Sequence, residues 1–186
     1  MIEQNSIKER VKSKGDFLSS ETHSLESNLK PRGRVRCFVE ENGVKTLAHE
    51  KSNLIVNGAR KALAHLCGEA SVSYRLDSFK LGTGGHAPGD ILTPVSPTVT
   101  DADLETSFFT KGISHGSDVY LPTPPDETSI MFTVVVEKFE GNGTGTVAYT
   151  EAGLFCQNGT MFARETFPAI VKNSTRRITF EWSILF

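Results

Sequence analysis

Residues 176–186 read RRITFEWSILF, and this stretch decides the fold class. Large apolar side chains occupy every second position: Ile178, Phe180, Trp182, Ile184 and Phe186. Successive side chains of a β-strand point to opposite faces of the sheet, so one face of this strand is apolar throughout. Burying each of these side chains is worth roughly 1.5–3 kcal/mol. The stretch therefore predicts a strand in the core of a β protein.

Other strand signals precede this stretch, and short turns join several of them. Asn42-Gly43 and Asn158-Gly159 each separate two strand segments, and Asn-Gly favours a tight hairpin turn because both residues adopt positive φ. Consecutive strands joined by short turns are antiparallel, and about eight strands with one helix indicate two packed sheets. We therefore predict a mainly β protein, an antiparallel β-sandwich. The further predicted strands are residues 34–41, 44–49, 74–81, 105–113, 129–139, 146–156 and 160–167.

One α-helix and an N-terminal arm complete the prediction. The helix covers residues 57–67, with Ala59, Leu63, Leu66 and Cys67 on its apolar face and Gly68 as a stop. Residues 1–32 are polar and rich in serine, with too few apolar side chains for a core of their own. We expect an extended or partly helical arm over residues 1–32, ordered only against something else, and a β-sandwich domain over residues 33–186.

Composition and charge exclude several classes of protein. The 186 residues are 38% hydrophobic and 23% charged, with a formal net charge of −2, which disfavours direct nucleic-acid readout. No apolar run approaches the roughly 20 residues that span a bilayer, so we expect no membrane association. The polar start at Met1 lacks the apolar core of a secretory signal, and we expect synthesis in a cytoplasm. Cys37, Cys67 and Cys156 are widely spaced, which predicts reduced thiols, with neither a disulfide scaffold nor a zinc site.

Two glycine-containing motifs resemble catalytic or phosphate-binding sequences only in part. Residues 112–116 match the G-x-S-x-G nucleophile pattern, but the prolines that follow Ser114 prevent the helix that this elbow requires. We expect a polar turn there; an esterase using Ser114 would lose its activity in Ser114→Ala. Residues 82–85 lack the Gly-Lys-Ser/Thr ending of a phosphate loop and predict a turn.

The titratable side chains give no constellation for chemistry. His86 with Asp90, or His115 with Asp118, supplies at most two metal ligands. Asp101 is expected to begin a short helical turn. We predict no enzyme activity, no catalytic, cofactor-binding or metal-binding residues, and no cofactor.

Glu151 and Arg164 stand in apolar strand segments on either side of the Asn158-Gly159 turn. If the two strands pair about that turn, the two side chains lie near the far end of one hairpin. There they could satisfy each other, which favours a structural ion pair over an acid catalyst.

The connection over residues 82–100 exceeds the usual loop length, which indicates binding, contact with a neighbouring subunit, or mobility. An alternative function is therefore a ligand-binding β-sandwich module, of the carbohydrate type, that uses this loop. Such modules present exposed aromatic rings, and Trp182 is expected to be buried. The remaining candidates are Tyr74, Tyr120 and Tyr149.

Six segments between residues 50 and 186 carry a family resemblance: TEAGLF at 150–155, NGTMFAR at 158–164, FPAIVK at 167–172, ITFEWSI at 178–184, NLIVNGAR at 53–60 and FKLGTG at 79–84. Together they resemble a β-rich family of structural proteins of tailed bacteriophages. The resemblance implies a non-enzymatic component of the virion, in the tail, the neck or collar, the baseplate or the fibre-attachment region. It implies localisation in the virion after assembly in the host bacterial cytoplasm.

The partners that this resemblance implies are further copies of the chain, in a symmetric ring or other homo-oligomer, and other phage tail, neck or baseplate proteins. An arm without a core of its own and long proline-containing loops suit such contacts, because they reach beyond a compact domain.

Overall fold

The computed structural model of the chain describes residues 31–69, 71–121 and 128–186. Residues 1–30 of the predicted arm lie outside the described residues. Within the described residues the chain forms twelve strands and one α-helix. They are β1 (Arg32–Glu41), β2 (Val44–Lys51), β3 (Leu54–Ile55), α1 (Asn57–Glu69), β4 (Leu76–Gly82), β5 (His86–Ala87), β6 (Asp90–Pro94), β7 (Ser107–Gly112), β8 (Val119–Tyr120), β9 (Ser129–Val136), β10 (Val147–Cys156), β11 (Met161–Lys172) and β12 (Arg176–Leu185).

The strands form two five-stranded antiparallel sheets and one small hairpin. The first sheet has the order β2-β1-β12-β9-β8, and the second has the order β3-β11-β10-β4-β7. Among the described strands, β5 and β6 pair with each other alone. The mainly β, antiparallel sandwich that the alternating sequence predicts is confirmed.

The two sheets pack through large aromatic side chains. Phe180 of β12 lies 4.8 Å, centroid to centroid, from Phe79 of β4 and 6.0 Å from Phe167 of β11. Trp182 is fully buried and meets Phe79 edge-on at 6.2 Å. The apolar face predicted for β12 thus faces the second sheet and forms the centre of the core.

Helix α1 buries its smallest side chains against β11. Ala59 and Ala62 are fully buried, whereas Leu66 and Cys67, which the sequence places on the apolar face, are exposed. The prediction is wrong for these two residues because the helix starts so close to the sheet. A Cβ added at Gly58 would stand 2.1 Å from a backbone oxygen of β11, so only small side chains fit along this contact.

Two neighbouring edges of the sandwich have no strand partner among residues 31–69, 71–121 and 128–186. Within these residues, β2 pairs with β1 on one side of its backbone and with no strand on the other. β3 pairs with Ala163 and Arg164 of β11, and the rest of that side of β11 has no partner strand among the described residues. Pro168 fits there because proline, which has no N–H, is tolerated at such an edge. This lets β11 continue past its predicted end at residue 167.

Candidate functional site

Glu151 of β10 is fully buried and accepts five hydrogen bonds. Its Oε1 accepts from the backbone N–H groups of Gly84 at 3.2 Å and Thr106 at 2.8 Å. Its Oε2 accepts from the N–H of Glu105 at 3.1 Å and from Arg164, whose Nε lies at 3.2 Å and Nη2 at 2.6 Å. A carboxylate offers about four lone-pair sites, so these donors occupy all of its capacity. The carboxylate therefore fixes the backbone at Gly84, Glu105 and Thr106, and neither of its oxygens is free for proton transfer.

The predicted ion pair between Glu151 and Arg164 is confirmed, but its place in the hairpin differs from the prediction. Glu151 lies opposite Thr166 and Arg164 opposite Gly153, so the pair is diagonal across the ladder. The hairpin continues beyond the pair to Val147 and Lys172. The two charges therefore lie in the middle of the hairpin, because β11 extends five residues past its predicted end at residue 167.

Arg164 connects the buried carboxylate to the loop above it. Its Nη1 donates to Oδ2 of Asp101 at 2.6 Å. Asp101 also accepts from Thr98, from the backbone N–H at 3.0 Å and the hydroxyl at 2.5 Å. Burial disfavours the charged carboxylate, but these hydrogen bonds and the guanidinium outweigh it, so the pKa of Asp101 is lowered. Asp101 thus closes a turn and does not begin the helical turn that the sequence predicts.

The connection over residues 82–100 is fixed to the second sheet at several points. Thr150 donates from its hydroxyl to the carbonyl oxygen of Gly84 at 2.6 Å, and Thr166 donates to that of Val95 at 2.8 Å. The β5–β6 hairpin lies within this connection, and Leu92 on β6 is 65% exposed. The long loop is an ordered cover over the sheet with an exposed aliphatic tip, and it contains no Phe, Tyr or Trp.

Ser114 lies in a polar turn. The N–H of Ser114 donates to Oδ2 of Asp118 at 2.9 Å, and the N–H of Asp118 donates to the carbonyl oxygen of Ser114 at 2.8 Å. The short strand β8 follows at Val119, where a nucleophile elbow would continue into a helix. The turn predicted from the prolines is confirmed.

The histidine and carboxylate pairs that the sequence suggests for metal are engaged locally. The two ring nitrogens of His86 lie 2.9 Å from the carbonyl oxygen of Ala87 and 3.1 Å from that of Thr83. Asp90 accepts from the N–H of Leu92 and the hydroxyl of Thr93. Over residues 31–69, 71–121 and 128–186, no three His, Cys, Asp or Glu side chains are grouped so that they could hold a metal ion.

Lys172 is a buried cation that the sequence analysis did not identify. Its Nζ donates to the carbonyl oxygens of Lys138 at 3.0 Å and Asn173 at 2.9 Å, and to Oδ1 of Asn142 at 2.6 Å. Burial lowers the pKa of Lys172, although Glu140 nearby acts in the opposite direction. The sequence indicates the burial of Lys172 by its position two residues after Ile170, which places both side chains on the buried face of β11. The bonds to Lys138 and Asn142 hold the turn between β9 and β10, and the bond to Asn173 holds the turn between β11 and β12.

The aromatic side chains are mostly unavailable to a ligand. Trp182 and Tyr149 are fully buried, and the hydroxyl of Tyr149 donates to the carbonyl oxygen of Gly141 at 2.5 Å. Tyr74 stacks on His65 with ring centroids 4.2 Å apart. Tyr120 is 56% exposed. The three candidate tyrosines therefore do not form one platform.

The edge strand β2 carries two exposed apolar side chains. Val44 is 63% exposed and Leu47 is 51% exposed. An open groove of about 570 Å³ runs between β2 and the open edge of β11. Its apolar lining comes from Val39, Val44, Ala48, Ile170 and Val171. An edge strand with unpaired backbone groups beside an apolar groove is a surface suited to another chain.

No family model, curated protein or solved structure matches this chain. Among the described residues, no helix has the length and apolar character that crossing a bilayer requires.

Proposed function

We propose that this protein is a non-enzymatic structural component of a tailed-bacteriophage virion. It acts by homo-oligomerisation and by contacts with other virion proteins of the tail, neck, baseplate or fibre-attachment region. The observation that carries the proposal is the exposed edge of β2, where apolar side chains and unpaired backbone groups occur together. A strand edge of this kind gains hydrogen bonds and buries apolar surface only when another chain covers it.

The buried charges support assembly over catalysis. Glu151, Arg164 and Lys172 are the kind of buried ionisable groups that often mark active sites. Here each one binds protein groups and holds a loop or turn in place. A scaffold with fixed loops presents the same surface to each neighbour, which a repeated building block requires.

The resemblance of residues 50–186 to tailed-phage structural proteins supplies the virion as the setting. The alternative is the carbohydrate-type module that uses residues 82–100. The buried Trp182 and the aliphatic tip at Leu92 favour assembly, because sugar-binding surfaces use exposed aromatic rings.

Deleting the gene from the phage that carries it tests the proposal. We expect particles that lack a tail, neck or baseplate feature by negative-stain electron microscopy, together with lost infectivity. A plasmid copy of the wild-type gene should restore both. Normal, fully infectious particles without the protein would refute the proposal. Binding of the purified protein to a glycan array, abolished by Leu92→Asp, would instead support the carbohydrate alternative.

A further inference from the structure

The backbone of β2 has a defined set of groups that face its open edge. Asn42-Gly43 forms a two-residue turn, so Glu41 and Val44 flank it and exchange hydrogen bonds. The alternation along an antiparallel ladder then directs the N–H and C=O groups of Lys45 and Leu47 away from β1. These groups have no strand partner in the part of the chain that the structure describes.

A β-bulge shifts this alternation in the second half of β2. Leu47 lies opposite Phe38 and His49 opposite Cys37, so Ala48 is an extra residue. After the bulge, Glu50 lies opposite Arg36 and takes the position whose backbone groups face the open edge. The outward positions of β2 are therefore Lys45, Leu47 and Glu50.

The side chains of these three positions share one face of the first sheet. Val35 and Cys37 on β1 point into the core and are fully buried, so Arg36, which lies between them, and Phe38, which follows Cys37, point outward. Residues directly opposite each other in a ladder lie on the same face. Lys45, Leu47 and Glu50 consequently form an outward row, with an apolar side chain between a cation and an anion.

This row is complementary to itself when reversed. In an antiparallel pair of two β2 strands related by a two-fold axis, Leu47 lies opposite Leu47 of the second copy. Lys45 then lies opposite Glu50 of the second copy, and the same pair recurs on the other side of the axis. The bulge makes this pairing possible because the extra residue Ala48 moves the next outward position from residue 49 to Glu50.

We propose that β2 pairs with β2 of a second copy about a two-fold axis at Leu47. The first sheets of the two copies then form one continuous sheet of ten strands. The inference rests on the proposed function and names the first interface of the homo-oligomer. A two-fold interface uses the same patch on both subunits, so the assembly is a dimer or is built from dimers. Glu50 also binds Arg34 of its own chain, which places Arg34, Glu50 and Lys45 of the second copy in one alternating row.

Charge reversal tests the pairing in the full-length protein. Sedimentation equilibrium measures the dimer dissociation constant of the wild type, of Lys45→Glu, of Glu50→Lys and of the double variant. Each single reversal opposes like charges at two symmetric places and should raise the dissociation constant about tenfold or more. The double variant restores opposite charges and should return most of the affinity. Arg60→Glu, an exposed reversal on α1, is the matched control and should leave the constant unchanged.

A backbone variant provides an independent check. Leu47→Pro removes an N–H that faces the open edge, so it should prevent dimers while the circular dichroism spectrum of the folded domain is retained. If both single reversals form dimers with the same dissociation constant as the Arg60→Glu control, this interface is wrong, whereas the proposed function is unaffected. A wild-type monomer at all concentrations, including one that binds a different virion protein through β2, would also overturn it. The role in the virion is tested separately, by the gene deletion, and it fails if particles assemble normally without the protein.

Discussion

Replacing Glu151 by Gln tests whether this side chain organises the loop above the second sheet. Gln has nearly the same shape but only one side-chain oxygen. That oxygen can still accept from the N–H groups of Gly84 and Thr106. The amide NH₂ group then faces the N–H of Glu105 and the guanidinium of Arg164, so three N–H donors lose their acceptor.

The expected cost follows from the burial of the pair. Removing one partner of a buried ion pair costs about 3–5 kcal/mol, because the other charge stays buried. Arg164 keeps its bond to Asp101, so we expect the lower end, about 3 kcal/mol of unfolding free energy. For a domain of this length, a melting temperature falls by roughly 2–4 °C per kcal/mol, which predicts a decrease of about 6–12 °C.

Urea unfolding followed by tryptophan fluorescence measures this loss directly, because Trp182 is the chain's one tryptophan and is fully buried. Glu69→Gln, on the exposed end of α1, is the control and should cost less than about 0.5 kcal/mol. Hydrogen exchange should also become faster at the amides of Gly84, Glu105 and Thr106. A loss below about 1 kcal/mol in Glu151→Gln, with unchanged exchange, would refute the structural role of the carboxylate.

Three further predictions concern other buried groups. The folded pKa of Asp101 lies below its unfolded value of 3.8. The contribution of Asp101 to the free energy of unfolding is therefore fully present above about pH 5 and is lost as the pH falls through the folded pKa. In acid unfolding curves, the stability difference between wild type and Asp101→Asn should shrink over that range. Burial raises the pKa of the Cys37 thiol and raises that of Cys156 to about 11, whereas Cys67 is exposed. A thiol reagent at pH 7.5 should therefore modify one cysteine in the native protein and three in denaturant. Lys172→Met leaves three oxygen acceptors without the donor of Lys172 and should cost roughly 1–3 kcal/mol in the urea assay; a neutral result would show that the turn between β9 and β10 needs no cation.

The sequence predicts the fold well where the local pattern and the tertiary environment agree. β12 alternates because one face meets the second sheet, and Asn42-Gly43 gives a two-residue hairpin because Asn42 adopts a φ of 54° and Gly43 a φ of 80°. The pattern fails for α1. Its buried face is decided by the close approach of its first turn to β11, and no periodicity in the helix itself carries that information.

The sequence also indicates the chemistry of the site better than its geometry. An acidic and a basic residue in apolar strands predict the pair of Glu151 and Arg164, because neither charge is stable alone in a core. Three of the donors to Glu151 are backbone N–H groups of distant residues. Backbone donors have no residue type to reveal them, so the role of Glu151 as an anchor for the loop could be identified only from the structure.

The same limit applies to the interaction surface. Exposed apolar residues such as Val44 and Leu47 are unremarkable in a sequence, because nothing in the chain indicates which strand ends a sheet. The strand order places β2 at an edge, and the bulge at Ala48 aligns the charges of that edge. The position of the proposed interaction surface therefore follows from the strand order and could be identified only from the structure.

The proposed role requires surfaces that are completed by other copies of this chain. The native mass of the full-length protein at micromolar concentration tests this requirement most directly. We expect a complex with an even number of 20.3 kDa chains, which Leu47→Pro converts to smaller species. A single chain of 20.3 kDa at every concentration would contradict it.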